Sequence, residues 1–331
     1  MQSALTAQAN EYRYLNKPFT GIAYVRNSPS SFHAVLVTDG EIKQDFISPY
    51  CPAAFSSDMI DISGNTEDDF DEDDLDDQPM SGLCYERHGF SMRLLRAGEP
   101  YTGLALVFFG PFCVREIGYQ DGFIFSDAQY DQNGQIINLA LEKNLAPENT
   151  LDENYAWFPD GTLKGAWISL TETFPDRSAQ RLARLALSFK PGGKLSSINV
   201  DGTVAAVDKI LSETPYFPVK KLSEVSGYAA SEDFKFFDDA VPYALFAEMA
   251  ERNAFASTIA LQIPTRFVQG AEGVGRLSHL RALRKLTLCN VDGTEIDKAR
   301  QVQQRRPDLE IQVQRPSVDY PGVLEYFVFA G

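Results

Sequence analysis

The sequence predicts an α+β fold in which an N-terminal array of antiparallel β-hairpin repeats is followed by a C-terminal α/β region. Three observations carry this prediction: an internal duplication at an offset of 82 residues, a series of Asp-Gly and Asn-Gly pairs, and helical periodicity that begins near residue 205. A chain of 331 residues exceeds the usual size of one domain. We therefore expect two domains, over residues 1–204 and 205–331.

The duplication joins two segments of nearly the same sequence. PFTGIAYV at Pro18–Val25 returns as PYTGLALV at Pro100–Val107, with five of eight residues identical. Each copy is followed by an Asp-Gly pair, Asp39–Gly40 in the first and Asp121–Gly122 in the second. The two copies are therefore expected to fold in the same way.

Pairs of Asp-Gly and Asn-Gly predict tight hairpin turns, because both central residues of a type I′ turn need positive φ. They recur at Asp39–Gly40, Asp121–Gly122, Asn133–Gly134, Asp160–Gly161 and Asp201–Gly202, and Pro191–Gly192–Gly193 separates two further apolar stretches. We therefore expect successive antiparallel hairpins up to about residue 204.

Beyond residue 205 the pattern changes to helices and strands. Helical periodicity is present in AVDKILSE, VPYALFAEMAERNAF and TEIDKARQVQQRR. STIALQIP, LRALRKLTLCN and PDLEIQVQ resemble the strand segments of leucine-rich repeats, and Ile263, Leu288 and Ile311 follow at steps of 25 and 23 residues. A leucine-rich-repeat-like region is expected, and an ordinary α/β domain with parallel strands is the open alternative.

Segments of the N-terminal region resemble the degenerate MORN repeats of bacterial antitoxin and immunity proteins. They are LNKPFTGIAYV with TDGEI, AGEPYTGLALV with YQDGFI, and YAWFPDGTLKGAWI, where Trp157, Phe158, Asp160, Gly161 and Gly165 match the aromatic and glycine pattern best. The resemblance implies a curved sheet that presents one face to a partner. In such proteins the partner is commonly a toxin made by a neighbouring gene.

Negative charge is concentrated in the N-terminal half. Residues 1–150 hold 9 Lys/Arg against 23 Asp/Glu, whereas residues 151–331 hold 21 against 23. Such a half repels nucleic acid and anionic lipid and attracts basic proteins, so we expect neither nucleic-acid nor membrane binding. The sequence has no secretory signal pattern and no apolar window that could span a membrane, which indicates a cytoplasmic location.

The densest negative charge lies in an insertion over residues 58–81. Nine acids and two apolar residues follow one another there: Glu67, Asp68, Asp69, Phe70, Asp71, Glu72, Asp73, Asp74, Leu75, Asp76 and Asp77. One interpretation is a solubilising linker. A second is a partner-binding element that enters a cationic groove, anchored by Phe70 and Leu75. A third is loose calcium binding, although the run lacks the glycine of an EF-hand loop.

No motif predicts a catalytic residue, a cofactor or a metal ion. The four cysteines, Cys51, Cys84, Cys113 and Cys289, match no zinc spacing and are expected to be reduced and mostly buried. Gly273–Val274–Gly275 lacks the further residues of a dinucleotide or phosphate loop.

These observations predict an immunity or antitoxin protein that binds and occludes a cognate toxin without catalysis. The expected toxin is basic and nuclease-like, an effector of a bacterial secretion system. Its contacts are expected in the acidic run and in an aromatic group formed by Tyr155, Trp157, Phe158 and Asp160. The alternatives are a non-enzymatic scaffold of the MORN or leucine-rich type and an enzyme whose site the motifs do not show.

Overall fold

The structure is a computed structural model. It describes every residue except 1–4, 9–10, 15–16, 29–30, 47, 49–58, 64–82, 89–90, 111, 147–148, 175–178, 238–240, 269, 290–293, 317–323 and 330–331. The chain forms two compact units, Met1–Glu142 and Lys143–Gly331, and the domain limit predicted at residue 204 falls inside the second unit.

The first unit consists of β-strands in its described part, and the last of them crosses the limit between the units. They are β1 (Leu5–Gln8), β2 (Glu11–Tyr14), β3 (Lys17–Pro18), β4 (Gly21–Ser28), β5 (Ser31–Thr38), β6 (Glu41–Asp45), β7 (Met59–Asp61), β8 (Leu83–His88), β9 (Ser91–Arg96), β10 (Glu99–Pro100), β11 (Gly103–Phe109), β12 (Phe112–Gln120), β13 (Phe123–Tyr130) and β14 (Ile136–Ala146).

These strands form two small sheets and part of a larger sheet. β1–β2–β3 and β8–β9–β10 are small antiparallel sheets, while β4–β5–β6 and β11–β12–β13–β14 are antiparallel runs of the larger one. The short strand β7 joins the two runs. It pairs antiparallel with β5 at Phe32 and Met59, and it pairs parallel with β11.

The predicted duplication is confirmed by identical backbone hydrogen bonds in the two copies. In each copy three residues form a closed set of three N–H···O bonds of 2.7 to 2.9 Å. The residues are Tyr12, Phe19 and Gly40 in the first copy and Leu94, Tyr101 and Gly122 in the second, each pair 82 positions apart. The amide of each turn aspartate also donates to a threonine hydroxyl at 2.9 Å, Asp39 to Thr20 and Asp121 to Thr102.

The two duplicated turns have the positive φ angles that a type I′ turn requires. Asp39 and Gly40 have φ of 50° and 84°, and Asp121 and Gly122 have φ of 52° and 83°. Gly122 is also held by close packing, since a Cβ there would lie 2.4 Å from Arg93 Cγ. The local prediction of these hairpins is therefore confirmed.

One predicted hairpin is wrong. Asp201–Gly202 ends a strand and leads into a helix that begins at Val204. The side chain of Thr203 caps this helix, because its hydroxyl accepts a hydrogen bond from the Ala206 amide at 3.2 Å. A threonine immediately before an apolar helical run is an N-cap signal that competes with the turn signal of Asp-Gly.

The second unit contains strands and four described helices. They are β15 (Asn149–Trp157), β16 (Leu163–Thr173), β17 (Ala179–Lys190), β18 (Lys194–Asp201), α1 (Val204–Glu213), β19 (Ala230–Phe236), α2 (Tyr243–Glu251), β20 (Ala260–Pro264), α3 (Gly270–His279), β21 (Lys285–Cys289), α4 (Glu295–Arg305), β22 (Glu310–Pro316) and β23 (Leu324–Val328). Short 3₁₀ turns lie at Leu222–Gly227 and Thr265–Phe267.

The predicted fold class is wrong. We expected an α+β chain with a hairpin-repeat array and a leucine-rich-repeat-like α/β region after it. In the second unit the antiparallel strands β15–β18 and the parallel strands β18–β22 instead belong to one long mixed sheet with few helices. The reason is that β18 pairs antiparallel with β17 on one edge and parallel with β19 on the other. The alternative of parallel strands joined by helices describes β19–β22.

An aromatic group packs on β19 of this sheet. Phe234 and Phe236 on β19 lie with ring centroids 4.9 Å apart. Phe236 packs against Phe246 of α2 and against Phe255 and Phe267, and Phe234 packs against Phe255, with ring centroids 5.5 to 6.4 Å apart. All five side chains are at most 1% exposed. Burial of this aromatic group is a main source of stability for the unit.

The Gly-Val-Gly motif has a packing role in α3. A Cβ at Gly273 would lie 2.4 Å from the carbonyl oxygen of Phe267, so the helix approaches that backbone as closely as it does only because residue 273 is glycine. At Gly275 the nearest atom would be Arg305 Nη1 at 3.8 Å, an ordinary contact. Among the described residues, no helix is long and apolar enough to cross a lipid bilayer.

Candidate interaction site

The predicted contact residues fall in two places. The acidic run, Glu67 to Asp77 with Phe70 and Leu75, lies outside the described residues, so its role stays a prediction. The predicted aromatic group lies at the end of β15 and in the turn that follows it, within the second unit. Unlike the acidic run, this group lies within the described residues, so its contacts are known.

The turn after β15 is held by its own hydrogen bonds. Phe158 N donates to Thr162 O at 2.8 Å and Gly161 N donates to Phe158 O at 2.9 Å. Asp160 accepts from the hydroxyl and the amide of Thr162, at 2.6 and 2.9 Å, and these bonds lower the pKa of its carboxyl group. Asp160 is exposed, so the turn presents a fixed carboxylate to solvent.

Tyr155 lies below the surface of the second unit, and its predicted role in partner contact stays a prediction. Its side chain is 3% exposed, and its hydroxyl donates to the carboxylate of Glu153, which is equally buried. Burial raises the pKa of both groups, and the hydrogen bond between them raises that of Tyr155 further. The lysines Lys143 and Lys220 lower the pKa of Glu153, against the effect of burial.

The ring of Tyr155 packs against three aromatic side chains, two of which are more exposed than Tyr155. Its centroid lies 6.0 Å from that of Trp157, 6.2 Å from that of Phe217 and 6.5 Å from that of Tyr216. Tyr216 is 46% exposed, Trp157 and Phe158 are half-buried, and Phe217 is buried. We call Trp157 and Tyr216, whose rings both pack on Tyr155, the aromatic surface.

Lys220 fixes the loop that carries Tyr216. Its ammonium donates to the carbonyl oxygens of Thr214, Pro215 and Phe217, at 2.5, 3.0 and 3.4 Å. Thr214 is the C-cap of α1, so the cation also lies at the negative end of that helix. The aromatic surface is therefore held in place, which lowers the conformational entropy lost on binding.

Sequence reasoning missed Tyr216 because it follows α1, far along the chain from Trp157. The TPYFPVK segment around it has no periodic pattern of its own. Exposed Tyr and Trp side chains on a rigid frame are typical of protein–protein hot spots. A carboxylate beside them favours a partner with a positive charge near its apolar contact.

A second notable cluster, centred on Glu116 of β12, is buried in the first unit. Glu116 is 3% exposed and accepts hydrogen bonds from Tyr24 (2.5 Å), Ser48 (2.8 Å) and Tyr130 (2.8 Å). Burial, followed by the charge of Glu116, raises the pKa of Tyr24 well above its ordinary value. A buried carboxylate with three hydroxyl donors is satisfied, and this cluster joins separate strands.

The cysteines of the described residues do not form a reactive site. Burial raises the pKa of Cys113 to about 12, which keeps it a thiol at neutral pH. Cys84 is exposed and Cys289 is buried, and neither is in a disulfide among the described residues. Within the described part of the chain, no group of three or more His, Cys, Asp or Glu could hold a metal ion.

No protein-family model matches the sequence, and no curated protein matches it either. Among solved structures, a protein of unknown function from Bacteroides fragilis is 9% identical over 28% of this chain and 83% of its own, with a TM-score of 0.14. Accessory secretory protein 1, 2 and 3 of Streptococcus pneumoniae is 11% identical over 72% of this chain and 43% of its own, with a TM-score of 0.17.

The Gap123 glycosylation-associated complex of Streptococcus agalactiae is 12% identical over 75% of this chain and 42% of its own, again with a TM-score of 0.17. The chain thus spans less than half the length of both streptococcal chains. Likenesses with TM-scores this low carry no inference about fold or function. The resemblance to MORN repeats stays a prediction.

Proposed function

We propose that this chain is a non-catalytic binding protein of the immunity or antitoxin class, acting in the cytoplasm on a basic cognate toxin. The toxin we propose is a nuclease effector of a bacterial secretion system, because a nuclease needs a cationic groove to bind phosphates. Carboxylates in that groove exclude nucleic acid without any chemistry. Inhibition is then stoichiometric.

The observation that carries the proposal is the separation of charge between the two units. Residues 1–142 contain 8 Lys/Arg against 22 Asp/Glu, whereas residues 143–331 contain 22 against 24. Nearly all of the net charge of −16 therefore belongs to one unit. Such a unit attracts a basic protein over long range and raises the association rate.

The aromatic surface supplies a second, short-range contribution. Steering by charge raises the on-rate, but the lifetime of a complex depends on desolvated apolar anchors. Tyr216, held by Tyr155 and by the loop that Lys220 fixes, is such an anchor. We therefore expect salt-sensitive association together with affinity that persists at physiological salt.

The first test coexpresses the full chain with the product of each adjacent gene. The expected result is restored growth of a host that the neighbouring protein otherwise kills, and an equimolar complex of the two. If neither neighbour is toxic and neither forms a complex, the proposal is overturned.

The second test measures association rates for two triple variants with the same change in net charge. Asp71→Asn, Glu72→Gln and Asp73→Asn should slow association by about tenfold at low salt, since they remove steering charge from the acidic run. Glu172→Gln, Glu213→Gln and Glu232→Gln remove the same charge from the second unit. Equal effects of the two variants would refute a role of the acidic run.

The third test replaces the anchor. Tyr216→Ala should weaken binding by about thirtyfold, mainly through faster dissociation. Phe237→Ala is the matched control, because Phe237 is 48% exposed and Tyr216 is 46% exposed in the same unit. A loss of affinity as large in Phe237→Ala would contradict the aromatic surface as the contact.

A further inference from the structure

Strands β16, β17 and β18 of the second unit have two unlike faces. Ile168, Leu185 and Val200 are cross-strand neighbours on one face and are at most 1% exposed. Side chains alternate between the two faces of a strand, so the residues next to these three point to the opposite side. We call that side, which carries Trp167, Arg184 and Asn199, the polar face.

A small side chain lies in the middle of the polar face. Ala186 of β17 pairs with Trp167 of β16 on one side and with Asn199 of β18 on the other. Neighbouring strands are about 4.8 Å apart, so roughly 10 Å separates the Cα atoms of Trp167 and Asn199, with only a methyl group between them. The indole and the amide therefore stand on two sides of a depression over Ala186.

Arg184 borders this depression along the strand. It precedes Ala186 by two residues and so lies on the same face, and its guanidinium carbon is 5.8 Å from the centre of the Trp167 ring. This cation–π contact restricts the orientation of the guanidinium group. We call Trp167, Arg184, Ala186 and Asn199 the Ala186 depression.

The polar groups of the depression do not satisfy one another. Within the described part of the chain Arg184 forms neither a hydrogen bond nor a salt bridge, and its Nε atom is buried. The Oδ1 atom of Asn199 on the adjacent strand is also buried and receives no hydrogen bond from a described residue. Buried polar atoms are normally paired, so this donor and this acceptor are available to one ligand.

The missing ion pair of Arg184 is unusual for this unit. Lys235 contacts Asp233 and Lys285 contacts Glu310, with N···O distances of 3.9 and 3.4 Å. Arg184 stands directly opposite Asp201 in the sheet, but the carboxylate of Asp201 contacts Arg181 at 3.8 Å instead. The cation of Arg184 is therefore left without an anion although carboxylates lie nearby.

The open groups define the chemistry of the ligand. A guanidinium group of restricted orientation matches a carboxylate in charge and in planar geometry. The Asn199 oxygen accepts a hydrogen bond, which an amine can donate. The half-buried ring of Trp167 offers an apolar contact. A carboxylate, an amine and an apolar side chain occur together in a free α-amino acid.

The charge of the chain favours such a zwitterion over a simple anion. A net charge of −16 repels anions at long range, whereas a zwitterion has no net charge to be repelled. Its carboxylate still forms the charge-assisted hydrogen bonds that Arg184 lacks.

We propose that the Ala186 depression binds a free α-amino acid with a large apolar side chain. The carboxylate of the ligand pairs with Arg184, its ammonium group donates to Asn199, and its side chain packs against Trp167. The inference does not depend on the toxin of the proposed function.

The first test is isothermal titration calorimetry of the full chain at pH 7 with L-phenylalanine and with L-leucine. At least one of them should bind with a Kd between about 10 µM and 1 mM, the range expected for a ligand of this size. A Kd above about 1 mM for both amino acids overturns the proposal.

Two derivatives of the tighter ligand test its charged groups separately. The N-acetyl derivative has no ammonium group and the amide derivative has no carboxylate, and each should bind at least about tenfold more weakly than the amino acid. An N-acetyl derivative that binds as tightly would assign the depression to simple carboxylates, and an amide that binds as tightly would assign it to amines. Either result overturns the proposal.

Protein variants locate the site. Arg184→Met keeps the apolar stem and removes the cation, so it should weaken binding of the amino acid at least about tenfold but should not weaken binding of its amide further. Arg181→Met is the matched control, because Arg181 is an exposed arginine of the same strand, and it should change the affinity by less than about twofold. Equal effects of the two variants overturn the proposal.

A third variant tests the depression itself. Ala186→Leu fills the space between Trp167 and Asn199 without removing a polar group, and it should also weaken binding at least about tenfold. Circular dichroism and thermal unfolding verify that each variant folds. A folded Ala186→Leu variant that binds the amino acid as tightly as the natural chain overturns the proposal.

Discussion

Replacing Glu116 by glutamine should lower the free energy of unfolding of the first unit by about 2 to 3 kcal/mol. The change keeps the size of the side chain and removes its charge. It also replaces one acceptor oxygen by an amide group that can only donate. Because the side chain is 3% exposed, water does not take over the lost bonds.

The magnitude follows from the three hydroxyl groups that donate to Glu116. A hydrogen bond to a charged group contributes about 1.5 to 3 kcal/mol, and a neutral one about 0.5 to 1.5 kcal/mol. Each of the three bonds therefore loses about 1 kcal/mol. Removal of the buried charge returns part of this loss through a smaller desolvation penalty.

Urea unfolding at pH 7 measures the effect with two signals. Both tryptophans, Trp157 and Trp167, belong to the second unit, so tryptophan fluorescence follows that unit and far-UV circular dichroism follows both. The expected result is a dichroism transition of the first unit that moves down by about 1 M urea. Glu99→Gln is the control, because Glu99 in β10 is exposed.

An unchanged dichroism midpoint would refute the reasoning, since it would mean that the three hydroxyls find equally good acceptors elsewhere. An equal shift in Glu99→Gln would refute it as well. In that case net charge, and not the buried cluster, would account for the change.

Three further predictions test local geometry. Gly273→Ala should destabilise the second unit by about 2 kcal/mol, because the added Cβ meets a backbone carbonyl oxygen. Gly275→Ala should stabilise the unit by about 0.5 to 1 kcal/mol, because alanine favours the helix and its Cβ makes only an ordinary contact. Chemical denaturation measures both changes. Peptide mapping after iodoacetamide treatment at pH 8 should find Cys84 modified and Cys113 protected, since a pKa of about 12 leaves a thiolate fraction on the order of 10⁻⁴. The pKa of Asp308 is about 2 in the folded state, below its unfolded value near 4. The ionised carboxylate therefore stabilises the fold above pH 4, and this stabilisation is lost as the pH falls towards 2. Asp308→Asn should remove this pH dependence in acid unfolding curves.

Short sequence patterns predict the turns and helices whose conformation depends on residues close together in the chain. The turns at Asp39–Gly40 and Asp121–Gly122 follow from the positive φ that only certain residues tolerate, and α1, α2 and α4 follow from apolar periodicity. The turn prediction at Asp201–Gly202 failed because a helix cap one residue later competes for the same backbone.

Contacts between distant residues were not predictable in this way. Tyr24 and Ser48 lie 92 and 68 residues from Glu116, and no periodic pattern relates them. Periodicity identifies which side chains are buried, but it does not identify which strand edge accepts a neighbour. The fold class was wrong for that reason, since the parallel pairing of β18 with β19 spans α1 and a 3₁₀ turn.

The Glu116 cluster shows how the two copies of the duplication came to depend on each other. At the same cross-strand position the first copy pairs Tyr24 with Ala34, and the second pairs Leu106 with Glu116. The hydroxyl of Ser48, which also belongs to the first copy, donates another hydrogen bond to Glu116. The backbone hydrogen bonds of the copies are identical, but the buried carboxylate of the second copy receives two of its three hydroxyl hydrogen bonds from residues of the first copy. A double-mutant cycle of Tyr24→Phe and Glu116→Gln should therefore give a coupling energy of about 1 to 2 kcal/mol, and additive effects would mean that this hydrogen bond does not couple the two copies.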